Sequence, residues 1–348
     1  MPTSLLLLCS LTSFVLAAAI VLTAPVHGRF TMDTTQGIQK IHLQPTSRVG
    51  GICIYLAVAA ITMYVHDSAA RAILVTVLTA GIPALLAGLL EDLTKAVAVG
   101  TRLAATLSSG LLACWIGGIT ITHTGISPLD GLLTLAPLAL AFTAFAVAGV
   151  ANSINMIDGF HGLASGTATL CLLAIAAIAA AVGDTELLLA TLVIAAATTG
   201  FWLVNFPWGK LFLGDGGAYF AGFALAWLAV LLPMRNTDVS PWASLLVCAY
   251  PIIEVFYSVV RRSYCQASAS QADCAHLHSL VGARIVKLHL PMLDPTLQNA
   301  TVSMAMWVCA AIPALLAVTS YAHTPRLIGG ALASLLLYHC LYRWVASK

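Results

Sequence analysis

Charge is what this sequence has least of. Of its 348 residues only 13 are Asp or Glu and 15 are Lys or Arg, 8% together, against 60% hydrophobic. A soluble domain carries about a quarter charged residues, so the chain reads as an integral membrane protein. The net charge of +2 says nothing about partners; the useful signal is where the charges sit, and nucleic acid is not expected as a partner. Other absences narrow the field. No GxxxxGK[ST] is present, which excludes a P-loop NTPase, and no HExxH, which excludes a zinc protease built on that motif. The nine cysteines contain no CxxC pair and mostly lie in apolar runs, so they read as small hydrophobes, not as a disulfide framework. No internal repeat is visible, against an inverted-repeat transporter. The longest connection, about 261–297, leaves no room for a soluble domain. The first apolar run lacks a basic leader and is long enough to span, so it is expected to be a membrane helix and not a cleaved signal.

What the sequence has in abundance is apolar runs of about 17–22 residues. Eleven are expected to span, at 4–25, 49–65, 71–90, 102–121, 133–151, 162–182, 187–206, 217–234, 242–260, 298–319 and 327–344. The expected fold is therefore an all-α polytopic membrane protein of about 11 helices, residues 1–348 forming one unit. Every second connection carries polar motifs. On that side lie Arg29, Lys40, Arg48, Lys95, Arg102, Lys210, Arg261, Arg262, Arg284, Lys287, Arg343 and Lys348; on the other lie only Arg71, Arg235 and Arg326. Cytoplasmic loops carry the excess of Lys and Arg, so the motif side is expected in the cytoplasm, the N-terminus in the periplasm and the C-terminus in the cytoplasm. The active-site loops expected there are about 26–48, 91–101, 152–161, 207–216 and 261–297.

Five polar stations stand on that face. KIHLQPTSRVGG, from Lys40 to Gly51, sets two cations before a Gly-Gly helix start, where backbone N–H groups can hold an anion. GLLEDLTK places Glu91 and Asp92 at the end of an apolar helix, where they oppose the helix dipole; a metal, a proton or a pairing with Lys95 would explain them. NSINMIDGFHGLASG spaces Asn152, Asn155, Asp158 and His161 by threes among glycines. A carboxylate at a membrane boundary is a functional candidate by default. LFLGDGGAYFAG sets Asp215 between glycines, either as a helix N-cap or as a hard oxygen ligand for Mg²⁺. The fifth station holds Glu254, two turns before Arg261 and expected to pair with a cation, then His276 and His278 with Arg284 beyond. Acids and bases mixed on one face suit a divalent cation together with a polyphosphate. A transporter would instead place its charges near the bilayer midplane, on broken helices.

These five segments, in this order, resemble the polyprenyl-phosphate N-acetylhexosamine-1-phosphate transferases of glycosyltransferase family 4. The resemblance runs from Lys40 to Val281. It implies transfer of a HexNAc-1-phosphate from a UDP-sugar to undecaprenyl phosphate in the bilayer, with release of UMP. It further implies Mg²⁺, with Mn²⁺ as a substitute ion, and a cytoplasm-facing active site in the bacterial inner membrane that initiates O-antigen or other cell-surface glycan synthesis. A homodimer is compatible with it. Asp92, Glu91 and Asp158 are implied as catalytic groups and Asp215 with Asp158 as metal ligands. Lys95, Asn155, His276, His278, Arg48, Lys40, Arg261, Arg262 and Arg284 are expected to hold substrate. Direct phosphoryl transfer and a covalent aspartyl-phosphate route both remain open. Two departures stand out: Glu91 occupies the place of the family's usual first Asp of a pair, and His161 that of a second Asp after Ile157-Asp158-Gly159.

Overall fold

A computed structural model describes residues 3–33, 45–264 and 275–348. Lys40 lies outside the described residues. The chain opens with α1 (Thr3–Thr31), and a two-stranded ribbon follows, β1 (Met32–Asp33) pairing antiparallel with β2 (Thr46–Ser47). The helices after it are α2 (Gly51–Thr62), α3 (Ser68–Ala80), α4 (Ile82–Thr94), α5 (Val99–Gly117), α6 (Ser127–Leu133) and α7 (Ala136–Met156). Then come α8 (Leu163–Val182), α9 (Thr185–Asn205), α10 (Gly214–Arg235), α11 (Pro241–Val247) and α12 (Ala249–Tyr264). The short α13 (Leu277–Val281), a π-helical turn at Gly282–Val286 and α14 (Lys287–His289) lead to α15 (Pro295–Ser320) and α16 (Thr324–Ala346).

The architecture is all-α. Among the described residues seven helices are long and apolar enough to cross a membrane, nine if each of two bent pairs is one span. Each expected span coincides with a helix or a bent pair, but two of the eleven fall short of a crossing: α16, at 327–344, is not among the helices apolar enough to span, and α2 is too short. The run at 49–65 yields only the 12-residue α2, about 18 Å long at 1.5 Å per residue, short of a hydrocarbon core of about 30 Å. One end is set by long-range contacts, Gly50 N and Gly51 N donating to Phe212 O and Leu213 O; past the other, Asp67 starts α3 locally by accepting from Ala69 N and Ala70 N. The run at 242–260 breaks at Cys248 into α11 and α12, bent by 75°. The other bent pair, α3 and α4, turns by 41° at Gly81, where a Cβ would press on the Phe220 ring.

α10 is the axis of the bundle. Its residues are apolar on every side, and a helix of that kind must be buried; Phe220, Phe223, Leu225 and Leu228 have no exposure at all. Small residues let its neighbours approach to backbone contact. A Cβ on Gly88 of α4 would strike Gly216 N, one on Gly51 would strike Gly217, and one on Gly222 would strike Ala151 of α7. Those contacts fix the heights of α2, α4 and α7 against the first turns of α10. The outer helices present Phe145, Leu315 and Leu337 outward, each about two-thirds exposed, which suits a lipid-facing wall.

Candidate active site

The site is assembled at the N-terminus of α10. The chain enters that helix through Gly214 at φ +74°, a conformation that disfavours any Cβ; a Cβ there would also run into Arg48 O and Asp92 Oδ2. The freed N–H groups of the first turn find a side chain from another helix. Asp215 N donates to Asp92 Oδ1 at 3.0 Å and Gly216 N to Asp92 Oδ2 at 2.9 Å. The acid that opposes the dipole at the end of α4 therefore caps α10, where a negative charge is favourable. Asp215 is not the N-cap that the sequence left open; its side chain is free to turn into the site.

Arg48 ties the carboxylates together. Its guanidinium lies 3.4 Å from Asp92, 3.6 Å from Asp215 and 3.6 Å from Asp33. Burial disfavours its charge, but Asp92, Asp215, Asp33 and Asp158 outweigh burial and hold it protonated. Asp215 also accepts from Arg102 at 2.6 Å and from Asn155 Nδ2 at 3.0 Å. Asn152, one turn before Asn155, braces the loop by donating to Thr106 Oγ1 and Ala148 O.

Asp158 is the contrasting carboxylate. It sits in the turn between α7 and α8, is partly open to solvent, and its side chain makes no hydrogen bond among the described residues. Burial first, and Asp215 second, push it up to about 8, with Arg48 opposing. Lys95 adopts a left-handed conformation at φ 57° as it closes α4, an uncommon state for a residue with a Cβ. Its ammonium group has no ion-pair partner among the described residues. Burial of its stem and repulsion from Arg48 lower its pKa.

Not all of the expected residues join this cluster. Glu91 turns away and accepts from Val97 N at 2.8 Å, shaping the connection into α5. Glu254 does not take a cation from its own helix: its carboxylate holds His276 Nδ1 at 3.1 Å and Leu277 N at 3.0 Å, with His278 Nδ1 at 4.0 Å. The two imidazoles stack in parallel, centroids 5.2 Å apart. This pins the H-x-H pair against the central loop, since His278 Nε2 is the atom a Cβ on Gly159 would meet, and the ring packs edge-on against Phe160. Arg284 donates to Ala346 O and so caps the end of α16, away from the carboxylates. Arg261 and Arg262 lie in the last turn of α12, where Arg261 donates to Ser258 Oγ. Nothing places these three arginines at the α10 cluster.

His161 has a structural explanation. It is buried, its Nδ1 lies 3.0 Å from Pro207 O and its backbone N donates to Asn299 Oδ1, so it joins the central loop to the Phe206–Gly209 turn and to α15. A Cβ on Gly209 would collide with its ring. Two members of the site escaped the sequence reading. Arg102 was counted only as a topological charge, although a cation beside an apolar run needs a partner, and that signal points to Asp215. Asp33 gave no signal, because only the β1–β2 ribbon carries it to Arg48.

Among the described residues no three His, Cys, Asp or Glu side chains stand close enough to enclose a metal. Mg²⁺ is usually held by one or two carboxylates, with water and substrate oxygens completing its shell. Asp158 and Asp215 are the two that would hold it: among the described residues Asp33, Asp92, Asp158 and Asp215 stand around Arg48, Arg102 and Lys95, and burial first, then the Asp215 charge, raises Asp158.

Residues 73–233 match the glycosyl transferase family 4 model, a stretch that contains Asp92, Asn155, Asp158 and Asp215. A relative from Bacillus subtilis (strain 168) is described as a probable undecaprenyl-phosphate N-acetylglucosaminyl 1-phosphate transferase. It is 32% identical over 118 residues, 34% of this chain and 33% of the relative, so the similarity spans about a third of that protein's length.

Proposed function

We propose that this protein transfers an N-acetylhexosamine-1-phosphate from a UDP-sugar to undecaprenyl phosphate, releasing UMP and leaving a lipid-linked diphosphate sugar. The observation that carries the reading is the α10 N-terminus, where Asp92, Arg48, Asp215, Arg102 and Asn155 interlock beside the unengaged Asp158. Cations alternate there with carboxylates, as a diphosphate with a divalent counter-ion requires. The cytoplasmic membrane of a bacterium, with the site facing the cytoplasm, and a role in starting a cell-surface glycan belong to the same proposal.

The acceptor phosphate is largely ionised at neutral pH, since a phosphate monoester has a second pKa of about 6. No strong base is needed. Asp92 has a fully buried side chain and both oxygens engaged, so its part is to hold Arg48 and the start of α10 in register. That engagement supports single-step transfer over an Asp92-bound phosphate. Asp215 and Asp158 would hold Mg²⁺, which supplies charge neutralisation to the departing UMP. Arg48 and Lys95 offer donors to phosphate oxygens. His278, held through the Glu254 carboxylate, presents an edge to the loop carrying Asp158 and is placed for sugar or phosphate oxygens. The test incubates membranes containing the protein with undecaprenyl phosphate, Mg²⁺ and a panel of UDP-HexNAc donors. Release of UMP with at least one donor is expected; release with none would overturn the proposal.

A further inference from the structure

Two tyrosines of α16 stand behind the histidine pair. Tyr338 and Tyr342, one turn apart, stack with ring centroids 6.4 Å apart, and both pack on Tyr257 of α12. Tyr342 Oη donates at 3.1 Å to Ala275 O, the carbonyl just before His276. Tyr338 lies one turn earlier, and its hydroxyl stands beside the Glu254 carboxylate. Glu254 and Tyr257 are three residues apart on α12, so they share the helix face on which Tyr338 packs.

Burial makes that hydroxyl informative. Phenylalanine would fill the same space, and a buried O–H without a partner is costly, so the hydroxyl needs an acceptor. Glu254 is 1% exposed. Its Oε1 accepts twice, from His276 Nδ1 and Leu277 N, whereas its buried Oε2 has no hydrogen-bond partner among the described residues. Tyr338 Oη is also buried and also lacks a partner among them. An orphaned donor and an orphaned acceptor thus belong to adjacent side chains. We propose that Tyr338 is a positioning residue for the histidine pair: its hydroxyl donates to Glu254 Oε2 and fixes the plane of the carboxylate. An ionised carboxylate only accepts, so Oε1 then keeps a proton on His276 Nδ1 and sets the tautomer of that ring. His278 stacks on His276 and meets Gly159, so the orientation passes from α16 to the loop that carries Asp158. What the histidines bind, a UDP-sugar, rests on the transferase reading; how they are held does not.

Two measurements on the full chain in lipid nanodiscs test it. The first needs no turnover: NMR of the ¹⁵N-histidine-labelled protein, with His276 assigned by the signal lost in His276→Gln. The parent is expected to carry a proton on His276 Nδ1, and Tyr338→Phe to lower the share of rings protonated there. A bare Nδ1 in the parent, or an unchanged His276 signal in the variant, would overturn the proposal. The second measures UMP release with whichever UDP-HexNAc the parent accepts. Tyr338→Phe should raise KM for that donor about tenfold, the scale of loss when a group orienting a ligating histidine is removed. KM for undecaprenyl phosphate and the melting temperature should stay close to the parent's. Tyr257→Phe removes a hydroxyl of the same aromatic cluster that lies 3.2 Å from His339 Nδ1, and it should change neither constant. An unchanged donor KM in Tyr338→Phe would overturn the proposal. A rise for both substrates with a lower melting temperature would overturn it too, since that marks a packing role. A parent inactive with every donor would sink the transferase reading, and the tautomer would then still decide for or against Tyr338.

Discussion

α10 carries a charged cluster at each end, and the two differ in one respect: whether the charges are satisfied. At its C-terminal end Arg235 binds Asp184 through two hydrogen bonds of 2.8 and 2.9 Å, reaches Glu186 at 3.2 Å, and Asn236 adds a third bond to Asp184. Burial alone would raise Asp184, but the bonds from Arg235, Leu187 N and Asn236 outweigh it and bring the group down to about 2. At the N-terminal end, among the described residues, four carboxylates share three cations, Asp158 is left without a hydrogen bond, and its pKa is pushed up to about 8. A cluster that closes on itself holds helices together. A cluster that leaves a carboxyl without a partner holds a perturbed group, and groups of that kind gather at functional sites.

The largest expected effect tests the open end. Asp215→Asn should lower UMP formation about 10³-fold, the scale seen when a positioned charged group is removed from a phosphoryl-transfer site, while leaving thermal stability near that of the parent. Activity within tenfold of the parent would break the distinction. Gly214→Ala comes next: a Cβ at φ +74°, against Arg48 O and Asp92, should cost about 3 kcal/mol in thermal unfolding in detergent.

A third experiment sets the two ends against each other in sign. Asp158 has a folded pKa above its unfolded value, so the folded state binds the extra proton and stability falls as pH rises from about 4 to about 8. Asp158→Asn should therefore be more stable than the parent by about 2 kcal/mol at pH 9, an allowance already made for solvent reaching the carboxyl, and the gain should vanish towards pH 4. Asp184 is the opposite case. Its depressed pKa contributes stability that is present above about pH 4 and lost as pH falls through about 2. Arg235→Ala should lose about 1 kcal/mol at neutral pH, a small figure because Arg235 is 29% exposed, and converge on the parent in acid. Transfer activity should be unchanged. If both pH profiles sloped the same way, the contrast between the ends would fail.

How much of this was legible in the sequence follows from the range of each interaction. The stations at Asp92, Asn155, Asp158 and Asp215 were legible because each is a polar interruption of an apolar run, and a polar interruption needs no partner in view to be noticed. Which way each side chain turns was not. Glu91 and Asp92 are adjacent, yet one caps α10 and the other closes the turn to Val97; a helix rotates neighbours by about 100°, so only the position of α10 against α4 decides between them. Glu254 was expected to pair with a cation inside the bundle, and its carboxylate instead holds His276 Nδ1 and Leu277 N. Arg284 had the composition of a phosphate ligand and spends its donor on the end of α16.

The sequence by itself determined that the chain is a helical membrane protein, where its apolar runs begin and end to within a turn or so, and that polar residues interrupt them at five stations. Those properties are local: hydrophobic length and the cost of a charge in an apolar setting are written into neighbouring residues. Only the tertiary structure decided that α10 is the axis, that Arg48, Arg102 and Asp33 converge on its first turn, and that the Asp158 side chain makes no hydrogen bond among the described residues. These depend on glycine-mediated backbone contacts among α2, α4, α7 and α10, between residues more than a hundred positions apart in several cases. No spacing within any one segment encodes where such contacts meet.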